Sequence, residues 1–195
     1  MVKRIFDFTA SFIGLLLIWP FFILIALLIV LDSKGPVFFR QIRVGRHAKP
    51  FKMVKFRTMT IQQESTSTVS VKGDSRITRY GAVLRRFKLD ELPELWNVIK
   101  GEMSLVGPRP DVPGYADCLN GKDRMILELR PGITGPASLV FANEEEILSK
   151  VNDPEKYNRE VIFPEKVRIN LDYYNRRNLL LDLKIIFATI FRTNY

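Results

Sequence analysis

The sequence has one cysteine, Cys118, and one histidine, His47. A lone cysteine forms no internal disulfide, and His47 lies in a basic turn with no Cys or His beside it, so a structural zinc site is excluded. Internal repeats and long low-complexity tracts are also missing. No helix-turn-helix, zinc-finger spacing or aromatic strand motif accompanies the net charge of +9, which argues against a nucleic-acid partner. The most informative absence is of charge itself: from Phe12 to Leu31 there is no Asp, Glu, Lys or Arg.

That uncharged stretch is about as long as the ~20 residues a helix needs to cross hydrocarbon. Hydrophobic content over the whole chain is 47%, ordinary for a soluble protein, so the apolar residues are concentrated rather than spread. A cleaved signal peptide would account for Lys3, Arg4 and the apolar run, but Val30-Leu31-Asp32-Ser33-Lys34 lacks a small-x-small cleavage site. The 195 residues accommodate one domain and this appendage. We place the boundary near Asp32 to Gly35, giving a membrane segment 1–33 and a main domain 34–195.

Charge is unevenly distributed: +8 over residues 1–60, +4 over 61–88, −4 over 89–120 and +1 over 121–195. A basic collar beside an apolar block suits anionic headgroups. Lys34, Arg40, Arg43, Arg46 and Lys49 follow the block closely, so the positive-inside rule puts the main domain in the cytoplasm, and Lys3 and Arg4 favour the same side for the N-terminus. Both flanks share one side only if the segment turns back. Pro20, in mid-block, removes a helical hydrogen bond and clashes with the carbonyl four residues earlier. The residues alone leave open a kinked spanning helix and a re-entrant helix-break-helix.

Pro36–Val44 and Phe51–Phe56 are rich in β-branched and aromatic residues around Gly45-Arg46-His47-Ala48, which predicts a hairpin. Residues 62–75 are polar, without helical periodicity, and read as a loop. Leu92, Leu95, Trp96 and Ile99 at i, i+3, i+4 and i+7, with Pro93 in the first turn and Gly101 just after Lys100, predict a short amphipathic helix. Apolar spacing over Leu179–Phe191 predicts a C-terminal helix that packs a core or lies along the membrane.

Asp90 and Glu91 open the Leu92 helix directly after Arg85, Arg86 and Lys88. Asp is a favoured N-cap, and Glu91 and Glu94 complement the helix dipole, so a purely structural role suffices for them. Alternatively, basic residues and the helix N-terminus hold a phosphate while a carboxylate attacks phosphorus or ligates magnesium. Gly107-Pro108-Arg109-Pro110 fixes an arginine between two prolines, as a phosphate clamp would require. Arg130-Pro131-Gly132-Ile133-Thr134-Gly135 looks similar, with glycines that allow backbone approach to a ligand. A surface turn with a solvated arginine also fits either loop.

Lys3-Arg4-Ile5-Phe6-Asp7, Gly35–Gln41, Lys55-Phe56-Arg57-Thr58-Met59, Leu89–Val98, Gly107–Pro110, Arg130–Gly135 and Asp172-Tyr173-Tyr174 together resemble the bacterial sugar transferases, the monotopic phosphoglycosyl transferases. The resemblance implies an α+β, mainly helical fold: a re-entrant membrane helix broken at Pro20, a cytoplasmic catalytic domain with a short hairpin, and membrane-surface amphipathic helices. It also implies transfer of a sugar 1-phosphate from a UDP-sugar to polyprenyl phosphate at the cytoplasmic face of the bacterial inner membrane. Asp90 is then the nucleophile, Glu91 its partner at a Mg2+ site that both carboxylates serve, and Arg85, Arg109 and Arg130 are phosphate contacts. The implied partners are UDP-sugar, polyprenyl phosphate and membrane lipids; a homo-oligomer, the sugar and the carrier length are left open.

Two departures stand out. Trp19-Pro20 replaces the Ser-Pro common at the break, and Pro136–Phe141 with an acidic insertion including Glu144-Glu145-Glu146 replaces the usual Gln-Val-Asn-Gly-Arg pattern. The chain resembles the small form that has the catalytic core alone. An inactive membrane-anchored scaffold of a polysaccharide pathway is the competing reading, which the intact Asp90-Glu91 pair opposes.

Overall fold

The computed structural model describes residues 1–60 and 74–193; most of the loop predicted over 62–75 lies outside them. The described residues are 59% helical, with two short two-stranded sheets among them. Helix α1, Val2–Asp32, contains Pro20 and runs through it as one element, rather than as two helices separated by a break. Proline costs one hydrogen bond and crowds one carbonyl, a local perturbation that the adjoining turns span.

Both ends of α1 dock on the same body. At its start Arg4 donates to the carbonyls of Val98 (2.6 Å) and Ile99 (2.8 Å), and Lys3 Nζ reaches Asp182 Oδ2 at 2.6 Å. Asp7 accepts from Ser104 Oγ (2.8 Å) and Leu105 N (3.3 Å). At its other end Ile25 and Ile29 pack with Phe56 and Leu84, Asp32 accepts from Tyr80 N at 2.9 Å, and Arg57 donates to the carbonyls of Ser33 (2.7 Å) and Lys34. Between these anchors Leu16, Leu17, Trp19 and Phe21 are exposed.

Strands β1 (Phe38–Val44) and β2 (Pro50–Phe56) form the predicted antiparallel hairpin, closed by a 3-10 turn at Arg46–Ala48. Helix α2, Arg79–Arg86, is capped by Thr78, whose hydroxyl accepts from Gly81 N at 3.1 Å. A Cβ on Gly81 would lie 2.2 Å from the Thr58 carbonyl, so only glycine lets α2 settle against the end of β2.

The amphipathic helix predicted around Leu92 is a 3-10 turn, Leu89–Glu91, followed by α3, Glu94–Lys100, which ends on Gly101 in the left-handed region. Asp90 therefore does not cap the α-helix: its N-cap is Pro93, and Asp90 lies inside the preceding turn.

A second, parallel pair, β3 (Ser104–Val106) with β4 (Gly132–Thr134), is absent from the sequence expectations. Glycine makes it possible. A Cβ on Gly132 or Gly135 would lie 2.2 or 2.1 Å from the Gly107 backbone, so these glycines admit another strand's backbone rather than a ligand. Helices α4 (Pro136–Val140), α5 (Glu144–Leu148), α6 (Pro154–Tyr157), α7 (Phe163–Arg176) and α8 (Leu179–Phe191) complete the domain. Of the two placements open for α8, core packing holds for one face: Ile185 and Ala188 enter the core, while Leu180, Phe187, Ile190 and Phe191 remain exposed.

Candidate active site

The 3-10 turn buries Asp90 and Glu91 side by side, and the first turn of α3 adds Glu94, which is fully buried. Three carboxylates so placed need cations. Lys55 on β2 supplies one, 2.9 Å from Glu91 Oε1 and 3.1 Å from Glu94 Oε1. Arg109, held between two prolines, supplies another, with Nη2 2.5 Å from the same Glu91 oxygen. Arg85, at the end of α2, acts electrostatically on Asp90 and pairs with Glu145 of α5.

The acids respond differently to this environment. Burial works against ionisation of Glu91, yet Arg109 and Lys55 outweigh it and hold its carboxyl well below the usual range. Burial dominates at Glu94, which is pushed up to about 7. Asp90 is also raised by burial, against the pull of Lys55, Arg85 and Arg109. Neighbouring Asp111 is pushed up to about 6 by burial.

Among the described residues the Asp90 carboxylate accepts no hydrogen bond, whereas Glu91 Oε1 accepts from both Lys55 and Arg109. Among these residues Asp90 thus keeps its lone pairs, and Glu91 keeps one oxygen, Oε2, without a donor. Two carboxylates with free oxygens fit Mg2+, which takes one or two protein carboxylates and completes its shell with water and substrate phosphate. A larger cage is not needed, and the described residues contain no group of three or more ligands suited to a metal.

Four of the residues expected from the sequence, Asp90, Glu91, Arg85 and Arg109, therefore come together. Arg130 does not join them: its Nε donates to the Gly101 carbonyl at 2.9 Å, and the charges acting on it are Arg46, Arg4 and Asp7. Pro20 lies in the exposed middle of α1, away from the acids. Lys55 and Glu94 belong to segments that carry the family resemblance, but their pairing across 39 residues is a tertiary fact that no local pattern discloses.

The site thus joins buried acids to a lysine and a proline-fixed arginine, in the domain on which a long apolar helix docks. The family comparison agrees: the bacterial sugar transferase model matches residues 1–194, and the chain belongs to that family. It is 36% identical to the UDP-glucose:undecaprenyl-phosphate glucose-1-phosphate transferase of Klebsiella pneumoniae, over 97% of this chain and 39% of that protein. It is 37% identical to the exopolysaccharide production protein PSS of Rhizobium leguminosarum bv. phaseoli, over 97% of this chain and 94% of that one. A Bacillus subtilis relative, named a putative undecaprenyl-phosphate N-acetylgalactosaminyl 1-phosphate transferase, is 44% identical over 60% of this chain and 65% of its own.

Proposed function

We propose that this chain transfers a sugar 1-phosphate from a UDP-sugar to polyprenyl phosphate, releasing UMP, through a covalent intermediate on Asp90. The observation that carries the reading is the Asp90 carboxylate: buried, next to cations, and without a hydrogen-bond donor among the described residues. A nucleophile requires that freedom; a helix cap would be hydrogen-bonded.

In the first step an Asp90 oxygen attacks the phosphorus that bears the sugar, and the bond to the bridging oxygen breaks. UMP leaves with that oxygen. In the second, a phosphate oxygen of the polyprenyl carrier attacks the same phosphorus, restoring the Asp90 carboxylate and giving a polyprenyl diphosphate sugar. Arg109 and Arg85 face the charge on the phosphoryl oxygens. Lys55 and Arg109 keep Glu91 ionised. Asp90 and Glu91 would hold Mg2+, which supplies charge neutralisation at the diphosphate.

The docking of both ends of α1 on one domain supports a same-side topology. A hydrocarbon core roughly 30 Å thick cannot lie between two anchors on a single folded body. The reading that follows is a segment 1–33 entering one leaflet around Pro20, with the catalytic domain 34–195 on the cytoplasmic face of the bacterial inner membrane. The exposed face of α8 supports contact with the same surface.

The test is incubation with a panel of UDP-sugars without carrier lipid, since the relatives' names include both glucose and N-acetylgalactosamine. A hydroxylamine-sensitive adduct on the Leu89–Lys100 peptide and stoichiometric UMP are expected with the true substrate, and exhaustive chelation should suppress both until Mg2+ is restored. UMP release only when carrier lipid is present would replace the covalent path by direct transfer.

A further inference from the structure

The acidic segment at Glu144–Glu146 also touches the candidate site. Helix α5 opens with Glu144, Glu145 and Glu146. Glu144 is fixed: Lys166 Nζ of α7 lies 2.7 and 2.6 Å from its two oxygens, and its charge acts on Arg109 and Asp111. Its neighbour Glu145 pairs with Arg85, one of the cations acting on Asp90. The first turn of α5 thereby puts one glutamate near each of the two site arginines.

The two pairs differ in solvent access. The Glu145 side chain is 48% exposed and that of Arg85 20%, so this pair sits at the rim, where an ion pair contributes little to stability. A phosphate offers the same guanidinium more charge and more acceptor oxygens than one carboxylate. Because Lys166 holds Glu144, α5 can stay docked while the Glu145 side chain swings away.

We infer that Glu145 is a positioning residue that occupies the Arg85 guanidinium when the site is empty and exchanges with substrate phosphate. Arg85 is then ordered before substrate arrives, and the return of Glu145 assists departure of the product phosphate. Phosphate affinity is lower than Arg85 alone would give, and release is correspondingly faster. The inference rests on the proposed phosphate chemistry at Asp90, but its test does not require turnover.

The experiment is calorimetric titration of the detergent-solubilised full chain with inorganic pyrophosphate. Glu145→Gln should tighten binding about twofold to fivefold, the range of an exposed ion pair. Glu155→Gln, which removes the same charge from exposed α6, should leave it unchanged. In an Arg85→Gln background Glu145→Gln should have no effect. In turnover, the KM for the UDP-sugar should fall by the same factor, without a rise in kcat. Unchanged or weaker pyrophosphate binding in Glu145→Gln overturns the inference, as does equal tightening in Glu155→Gln or tightening that survives loss of Arg85. If wild type releases UMP from no UDP-sugar, the transferase reading fails while the pyrophosphate result still decides the role of Glu145.

Discussion

At the C-terminal end of α3, Arg4 and Arg130 take up the carbonyls of Val98, Ile99 and Gly101. In the same region buried Asp7 and Asp182 accept hydrogen bonds from Ser104, Leu105, Lys3 and Tyr173. At the N-terminal end of α3, Asp90, Glu91 and Glu94 are also buried, yet Asp90 has no donor among the described residues and Glu94 is pushed up to about 7. Both regions confine carboxylates with basic residues. One spends its polar groups on holding α1 to the domain; the other leaves a carboxylate without a donor among the described residues, as the proposed nucleophile requires. Polar satisfaction, more than burial or charge, separates an anchor from a reaction site.

The largest effect should come from Asp90→Asn. The amide keeps size and shape but is a poor nucleophile, so UMP release should fall by several orders of magnitude, each decade being about 1.4 kcal/mol of barrier. Thermal stability should stay near wild type, because the described residues donate no hydrogen bond to the carboxylate. A large drop in Tm with retained turnover would assign Asp90 to the anchoring class.

Asp182→Ala should do the reverse. It removes the acceptor of the buried Tyr173 hydroxyl, which donates at 2.5 Å, and one of the two carboxylates beside Lys3; because Lys3 is 37% exposed and keeps Asp7 at 3.9 Å, the cost is chiefly that of a hydrogen bond to a charged acceptor, about 1.5–3 kcal/mol. Denaturant unfolding should show that loss, with turnover per folded molecule preserved. Unaltered stability would mean that the anchor contributes nothing to holding α1.

Glu94 yields a pH-dependent contrast of intermediate size. Its folded value of about 7 exceeds the ordinary 4.5, so between those limits the folded state binds the extra proton. Stability from this group is present below about pH 4.5 and declines as pH rises through 7, by at most about 3 kcal/mol at ~1.4 kcal/mol per unit. Glu91 runs oppositely: its stabilising contribution holds above its ordinary range and is lost as pH falls through its lowered one. Glu94→Gln should flatten the decline between pH 5 and 7.5 in chemical denaturation. An unchanged slope would show that Lys55 keeps Glu94 ionised throughout.

How much of this was legible in the sequence depends on the range of each interaction. The hairpin is visible because β-branched and aromatic residues surround a compact turn, and the uncharged run announces α1. The pairing of β3 with β4 is not visible: each strand has three residues, too few for a period, and the contact needs Gly107 to meet Gly132 and Gly135. Asp90 and Glu91 are legible through the family resemblance, whereas local propensity alone makes them helix-end acids. Lys55 and Glu94 escape assignment because an ion pair between β2 and α3 leaves no mark on either segment.

Arg130 gives the smallest and most discriminating effect. In sequence it resembles Arg109, an arginine beside proline in a glycine-containing loop, and both read as phosphate clamps. The structure sends them to opposite ends of α3: Arg109 to Glu91, Arg130 to the Gly101 carbonyl near Arg4, Arg46 and Asp7. A cation at a helix C-terminus satisfies carbonyls and complements the dipole. Arg130→Lys keeps the charge but loses the planar donor, so the expected cost is that of one hydrogen bond, about 1 kcal/mol. It should appear as a small shift in denaturation midpoint, with KM for UDP-sugar and kcat both within about twofold of wild type. A rise in KM of tenfold or more with stability unchanged would return Arg130 to the phosphate site, and the division between an anchored end and a reactive end of α3 would no longer hold.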